Sequence, residues 1–162
     1  MLFRSQGYGK VLAQITDQPA AAAASCQELV NALVSDMVCQ TESSIRLLSD
    51  GTGDRAWMHP VNVMVLCLLL GKALGMPVDA LHELGVAAFL HDIGKTQLPD
   101  RVRLADSDFA AAQYKLYQSH VAHGLALAMR MDLPVEAQRT IGQHHELMDG
   151  TGFPRQTAGD AI

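Results

Sequence analysis

Residues 89–95 of the chain read FLHDIGK, and the rest of the sequence is understood most easily from this stretch. The residues before it have the spacing of an amphipathic helix, whose inward-facing side chains are Leu81, Leu84, Ala88 and His91. This helix is expected to carry the imidazole of His91 and the carboxylate of Asp92 into the interior, where an unpaired charge is costly. Gly94 is predicted to end the helix as its C′ residue, and Lys95 follows directly. A buried His-Asp pair beside a cation suits a metal ion that binds an anionic substrate.

The composition is that of one ordinary globular domain. The chain has 162 residues, of which 49% are apolar, and this is enough for a substantial core. The net charge of −5 and the 12 lysines and arginines argue against binding of polymeric nucleic acid, which requires a basic surface. A small nucleotide held by a metal site is compatible with this charge. The longest apolar run, Val61 to Leu70, is too short to span a bilayer.

The cysteines and the two ends of the chain predict a cytoplasmic protein that is incomplete. The three cysteines show no CxxC spacing, and buried free thiols are expected at Cys26, Cys39 and Cys67. No apolar signal segment follows Met1–Lys10. Residues 1–5 resemble a cloning remnant and are left out of the fold prediction. The chain stops after Ile162 without a closing element, which indicates a fragment.

Apolar spacing predicts an all-α bundle of about five to six helices, without β-strands. Residues 6–18 are compatible with either a short helix or a linker. Pro19 is expected to open an alanine-rich helix with the apolar stripe Val30, Val34, Val38, Ile45 and Leu48. The sequence Gly-Thr-Gly-Asp at 51–54 breaks this helix. Residues 1–54 are therefore predicted as a linker and connector-helix region, and residues 55–162 as the functional domain.

Three further helices are predicted in the functional domain besides the one that leads to His91. The first runs from about Trp57 to Leu74 with Pro60 in its first turn, and its apolar residues on all sides place it in the middle of the bundle. The next begins near Asp106 or Ser107 and runs to about Met131, with His120 facing inward. The last starts at Leu133-Pro134 and ends in the segment 141–146.

The histidines point to a metal centre more strongly than any single motif does. Five of the seven lie at helix ends or on inward-facing stripes, namely His59, His91, His120, His144 and His145. Together with Asp92 they offer six nitrogen and oxygen ligands, which suits two metal ions bridged by a carboxylate and a hydroxide. Adjacent residues point about 100° apart on a helix, so both members of the 144–145 pair bind metal only near a helix end. His82 and His123 are predicted to be non-ligands.

Five stretches together resemble the HD-GYP family, the cyclic di-GMP phosphodiesterase branch of the HD phosphohydrolases. They are HPVNV at 59–63, HDIGK at 91–95 with Pro99-Asp100, His120 with Gly124, HHE at 144–146 and DGTGFP at 149–154. The resemblance covers roughly residues 55–162. It implies that the five histidines and Asp92 bind two divalent ions, iron or manganese, and that Lys95 contacts the substrate phosphate. It also implies a substrate-binding role for the loop Gly152, Phe153 and Pro154.

The resemblance implies a bacterial signalling enzyme that hydrolyses cyclic di-GMP to pGpG or GMP through a metal-bridged hydroxide. Asp92 and Lys95 are the expected catalytic residues. A sensory or receiver domain, or a diguanylate cyclase, is the expected protein partner. Two alternatives stay open: an HD phosphohydrolase of another nucleotide, and a degenerate domain that binds a nucleotide or a protein without turnover.

Three departures from the family pattern bear on activity. Phe153 replaces the tyrosine of the Gly-Tyr-Pro loop and lacks its hydroxyl. Arg55 stands where members with three metal ions carry a glutamate, so a third ion is not expected. A further aspartate ligand of the family lies on the helix after this loop, beyond Ile162.

Overall fold

The computed structural model describes residues 2–39, 55–103 and 109–162, and the side chains of 7–37, 58–103 and 109–162. Its helices are α1 (Leu2–Gln14), α2 (Pro19–Cys39), α3 (Arg55–Ala73), α4 (Val78–Leu90), α5 (Asp100–Arg103), α6 (Ala111–Arg130) and α7 (Val135–Gln143). Short 3-10 turns cover Ile93–Gln97 and Gly159–Ala161. Within these ranges, β-structure is limited to an isolated bridge between Asp149 and Ala158. The predicted all-α fold is confirmed.

Helix α4 is the centre of the bundle, because it packs against α2, α3 and α7. The second half of this helix, from Gly85 to Leu90, is entirely buried. Phe89 is fully buried, and its ring meets the ring of Tyr8 on α1 edge to face at 5.1 Å between centroids. Burial of aromatic and aliphatic side chains is the main stabilising contribution to such a core. Helices α1 and α2 therefore belong to the same core as the elements that follow.

Helix α3 differs from its prediction in two ways. It begins at Arg55, so Pro60 lies in its second turn rather than the first. Its position in the middle of the bundle was also predicted wrongly, because only one face, including Met64 and Leu68, is buried. Leu66 and Leu70 on another face are 54% and 62% exposed. The apolar residues on all sides of α3 therefore form one buried face and one exposed face. None of the described helices is long and apolar enough to cross a membrane.

The boundaries of α1 and α6 also differ from the sequence-based expectation. Helix α1 starts at Leu2, so leaving out residues 1–5 was wrong. Helix α6 starts at Ala111, and the Ala110 N–H donates to Gln113 Oε1 at 3.0 Å; the predicted start near Asp106 or Ser107 was wrong, and those two residues lie outside the described ranges. The proposed continuation of α2 through Ile45 and Leu48 to the break at 51–54, and with it the domain boundary after residue 54, also lies outside them.

The cysteines are only partly as predicted. Cys26 is fully buried, and burial raises the pKa of its thiol to about 12. Cys67 is a free thiol but only half-buried. The side chain of Cys39 lies outside the described residues.

Gly94 has a different role from the predicted helix cap. Helix α4 already ends at Leu90, and Gly94 lies buried within the 3-10 turn that follows Asp92. A Cβ atom at this position would lie 1.9 Å from the carbonyl oxygen of His120 and 2.4 Å from the nitrogen of Gly124. Glycine is needed here because two stretches of backbone touch. This contact fixes the turn after Asp92 against α6.

We expect Gly94→Ala to destabilise the protein strongly, by about 3 kcal/mol or more, because the new methyl group overlaps rigid backbone. The measurement is the free energy of unfolding in urea, monitored by circular dichroism. Gly9→Ala in α1 is the matched control, since a Cβ there meets no atom within 4 Å; we expect it to be stabilising by about 0.5–1 kcal/mol. Equal stability of the two variants would contradict the backbone contact.

Candidate metal centre

Asp92 is the residue on which the site converges. Its side chain is 8% exposed, and it lies where α4 passes into the 3-10 turn. Its Oδ2 atom accepts a hydrogen bond from Lys95 Nζ at 2.7 Å and lies 3.3 Å from His91 Nε2 and 3.5 Å from His59 Nε2. Its Oδ1 atom lies 3.5 Å from His120 Nε2 and 3.7 Å from His144 Nε2. The two carboxylate oxygens thus face two different sets of imidazoles.

Backbone hydrogen bonds set the orientation of three of these imidazoles. Their Nδ1 atoms lie 2.7, 2.6 and 2.9 Å from carbonyl oxygens three residues earlier; the pairs are His91 with Ala88, His120 with Tyr117 and His144 with Ile141. A carbonyl oxygen only accepts, so each Nδ1 carries the proton and donates it. In the neutral rings, the lone pair is therefore on Nε2 and points toward Asp92. Ligand histidines in metalloproteins are commonly oriented in this way.

The resulting array of acceptors favours a bound cation. The Nε2 atoms of His120 and His144 are 3.2 Å apart, and in the neutral rings both present lone pairs. Among the described residues, Asp92 Oδ1 and His145 Nε2 are buried without a hydrogen-bond partner. Buried polar atoms without partners are rare and need an explanation such as an ion. Two positive ions between these atoms would satisfy all of them.

The donor atoms form two groups that share Asp92. One group consists of Asp92, His120, His144 and His145, and the other of His59, His91 and Asp92; within each, one donor atom per residue lies within 4.8 Å of the others. Imidazole nitrogen and carboxylate oxygen suit iron, manganese and zinc alike. The residues present would therefore be able to hold two divalent ions, one in each donor group. All six residues predicted as ligands are brought together.

Three further residues were predicted from the sequence not to provide metal ligands. His82 is half-buried and His123 is exposed, and neither belongs to the two donor groups. The side chain of Arg55 lies outside the described residues, so the expectation that there is no third ion stays a prediction.

Electrostatics keep the site ready for cations near neutral pH. Burial opposes ionisation of Asp92, but the nearby imidazoles of His144 and His91 and the positive charge of Lys95 outweigh it and hold the pKa of the carboxyl far below its usual range. Burial lowers the pKa of His120 and that of His145 to about 4 each. Both rings are consequently neutral at pH 7. Burial alone would lower the pKa of His91, but its hydrogen bond and attraction to Asp92 raise it.

The loop at 152–154 packs against one side of the centre. Helix α7 ends at Gln143, so His144 and His145 occupy the helix end that the sequence required for joint binding. The Phe153 ring stacks on His145 with centroids 4.4 Å apart and planes at 22°, and the Phe153 N–H donates to the His145 carbonyl at 3.0 Å. A Cβ at Gly152 would lie 2.4 Å from that same carbonyl oxygen. Pro154 faces a second cavity, between α6 and α7.

Two residues near the site were not assigned a role from the sequence. Glu146 is buried, and its two carboxylate oxygens accept hydrogen bonds from the N–H groups of Arg155 and Thr157 at 2.7 and 2.8 Å. It therefore holds the loop that carries Phe153. Tyr117 lies three residues before His120, and Lys95 Nζ is 5.1 Å from the centroid of its ring. Its position one helical turn before His120 was the available signal.

An open cavity of about 490 Å³ gives access to the centre. Its polar lining consists of Asp92, Lys95, Tyr117, Thr140 and the histidines at 59, 91, 144 and 145. Its apolar lining comes from side chains of α3 and α4 and includes the half-buried Cys67. A cavity of this size, with convergent polar groups on one side and apolar side chains on the other, is typical of small-molecule sites.

The sequence profile of the HD domain family matches residues 22–162. The chain belongs to the HD domain family. The resemblance based on the motifs is thus confirmed, and curated relatives support it. The match to cyclic di-GMP phosphodiesterase PA4108 of Pseudomonas aeruginosa is 28% identical over 143 residues, covering 86% of this chain and 34% of the relative.

Two further relatives carry names of the same kind. The 3′3′-cGAMP-specific phosphodiesterase 1 of Vibrio cholerae is 31% identical over 70% of the chain and 26% of its own length. The cyclic di-GMP phosphodiesterase of Thermotoga maritima is 28% identical over 74% of the chain and 33% of its own length. The chain spans about a third or less of the length of these relatives.

We expect Asp92→Asn to lose both metal ions. Asp92 belongs to both donor groups, and the amide that replaces its carboxylate has no negative charge to attract the ions. Metal content after purification, measured by plasma mass spectrometry, gives the result. Asp100→Asn is the control, since its exposed carboxylate pairs only with Arg103 in the described structure. Retention of two ions per chain in the Asp92 variant would contradict the shared-carboxylate arrangement.

The metal-free protein should lose stability as the pH falls from about 6.5 to about 4. In this window the unfolded chain protonates His120 and the folded chain does not, so the free energy of unfolding rises with pH. Urea denaturation of chelator-treated protein at several pH values measures this slope. His120→Gln should reduce the slope, with His123→Gln on the exposed face of the same helix as the control. An unchanged slope in His120→Gln would refute the pKa assignment.

Proposed function

We propose that this chain is a metal-dependent phosphodiesterase domain that hydrolyses cyclic di-GMP to pGpG or GMP. The observation that carries the proposal is the shared carboxylate: Asp92 joins two sets of imidazole donors beside a lysine, at the floor of an open cavity. The names of the relatives supply the substrate class.

Each residue of the centre has a definite role in this proposal. His59, His91 and Asp92 would hold one divalent ion, and Asp92, His120, His144 and His145 would hold the other, with iron or manganese as the expected metals. Such ions supply activated water near neutral pH and offset the charge of a phosphodiester. The Nδ1–carbonyl hydrogen bonds keep the ligand rings in place, so little reorganisation is needed when substrate binds.

Lys95 is proposed to bind the substrate phosphate. Burial alone would lower its pKa, but attraction to Asp92 and the hydrogen bond with it raise the pKa, so the ammonium is charged throughout the neutral range. One of its three N–H groups bonds Asp92, which leaves the others for non-bridging oxygens of a phosphate in the cavity. The carboxylate thus fixes the position of the cation that meets the substrate.

The loop Gly152, Phe153 and Pro154 is proposed to border the substrate. The ring of Phe153 stacks on His145 and covers one face of this imidazole. Partner domains of the sensory, receiver or diguanylate cyclase type stay a prediction of the resemblance.

The substrate test is hydrolysis with Mn²⁺ or anaerobic Fe²⁺, using cyclic di-GMP and 3′3′-cGAMP in parallel, because curated relatives are named for each. Faster turnover of cyclic di-GMP supports the proposal. Faster turnover of 3′3′-cGAMP assigns that dinucleotide instead. Metal and nucleotide binding without turnover of either would favour the non-catalytic alternative.

We expect Lys95→Gln to retain its metal ions and to lower kcat/KM for cyclic di-GMP by about 10²-fold, because removing one preorganised charge contact costs roughly this much. Lys115→Gln, on the exposed side of α6, controls for the change in net charge. An unchanged rate in Lys95→Gln would remove Lys95 from the substrate site.

A further inference from the structure

Tyr117 lies on the wall of the cavity, close to Lys95. The Lys95 ammonium is 5.1 Å from the centroid of the Tyr117 ring. Tyr117 lines the same cavity as Asp92 and Lys95. The metal-centre roles described above do not use its side chain.

The ring of Tyr117 is held firmly relative to the metal centre. It stacks on Phe109 with centroids 5.1 Å apart and planes at 30°, and it is tilted against His120 at 4.7 Å. Its carbonyl oxygen accepts the Nδ1–H of His120 at 2.6 Å. The hydroxyl therefore has a fixed position with respect to both Lys95 and the ligand residues.

The chemistry of the Lys–Tyr pair determines where the phenolic proton points. An ammonium has three donors and no lone pair, so a hydroxyl oxygen that approaches it does so as an acceptor. The proton of the hydroxyl is then directed away from Lys95. A neighbouring positive charge also polarises the O–H bond and makes it a stronger donor to an anion.

We propose that Tyr117 is a substrate-binding residue whose hydroxyl donates a hydrogen bond to a non-bridging oxygen of the phosphate that Lys95 contacts. The inference rests on the proposed phosphodiesterase function of this cavity. The proposal also bears on the replacement of the loop tyrosine by Phe153. The loop has no phenolic hydroxyl, and Tyr117 on α6 would supply one to the cavity. The chemical class of the ligand is a phosphate monoester or diester.

The test compares Tyr117→Phe with Tyr114→Phe. Tyr114 belongs to the same aromatic cluster, with its ring 6.3 Å from that of Tyr117, but it does not line the cavity. The first readout is the dissociation constant of inorganic phosphate for Mn²⁺-loaded and metal-free protein, measured by calorimetry. The second is metal content, and the third is KM and kcat for cyclic di-GMP.

We expect Tyr117→Phe to bind phosphate about tenfold more weakly, as for the loss of one hydrogen bond to a charged group. Metal content should be unchanged, and KM should rise with little change in kcat, because the contact is made in both the ground state and the transition state. Tyr114→Phe should match the wild type in all three readouts.

The phosphate measurement separates this inference from the proposed function. Equal phosphate affinity in Tyr117→Phe and wild type would overturn the inference whether or not the wild type hydrolyses cyclic di-GMP. Weaker phosphate binding together with no hydrolysis by the wild type would support the Tyr117 contact and overturn the substrate assignment. Loss of metal from Tyr117→Phe would show a structural role instead and overturn the inference. A Mn²⁺-loaded wild type that does not bind phosphate overturns the inference, and the hydrolysis assay then decides the proposed function separately.

Discussion

The interaction on which the site depends is the sharing of one carboxylate by two sets of imidazoles. Asp92 is buried, yet its two oxygens face His91 and His59 on one side and His120 and His144 on the other. An isolated buried carboxylate is costly, so its charge must be matched by cations. Lys95 provides one positive charge, and the geometry of the acceptor atoms leaves room for more. The bundle is arranged to bring these groups to one point.

Contacts outside the candidate metal centre also determine where its residues lie. The contact between Gly94 and the segment from His120 to Gly124 sets the distance between the turn of Asp92 and helix α6. Glu146 has the same function on the other side, because its hydrogen bonds to Arg155 and Thr157 hold the loop with Phe153 against His145. A metal centre built from separate helices requires such fixed distances between them.

The sequence predicted the chemistry of the site better than the limits of the helices. Apolar periodicity and the histidine positions predicted the bundle and the six residues that the structure brings together, because these residues are recognisable both by type and by their inward-facing positions. Gly94 was misinterpreted because a glycine after a helix fits a cap as well as a backbone contact, and only the position of α6 distinguishes them. The exposed face of α3 was missed because Leu66 and Leu70 are as apolar as the residues that are buried. Tyr117 was missed because its position one turn before His120 is compatible with ordinary packing as well as with a place in the site.

The ends of helices α4 and α7 have a consequence for the order in which ligands bind. Both helices end at the site, at Leu90 and Gln143, and a helix C-terminus carries partial negative charge. These two ends add to the charge of Asp92 and attract cations, but they repel a phosphate. Lys95 alone offsets only part of this repulsion. If the site binds the ions and the phosphodiester proposed above, this charge distribution favours an order in which the cations bind first and the anionic substrate follows.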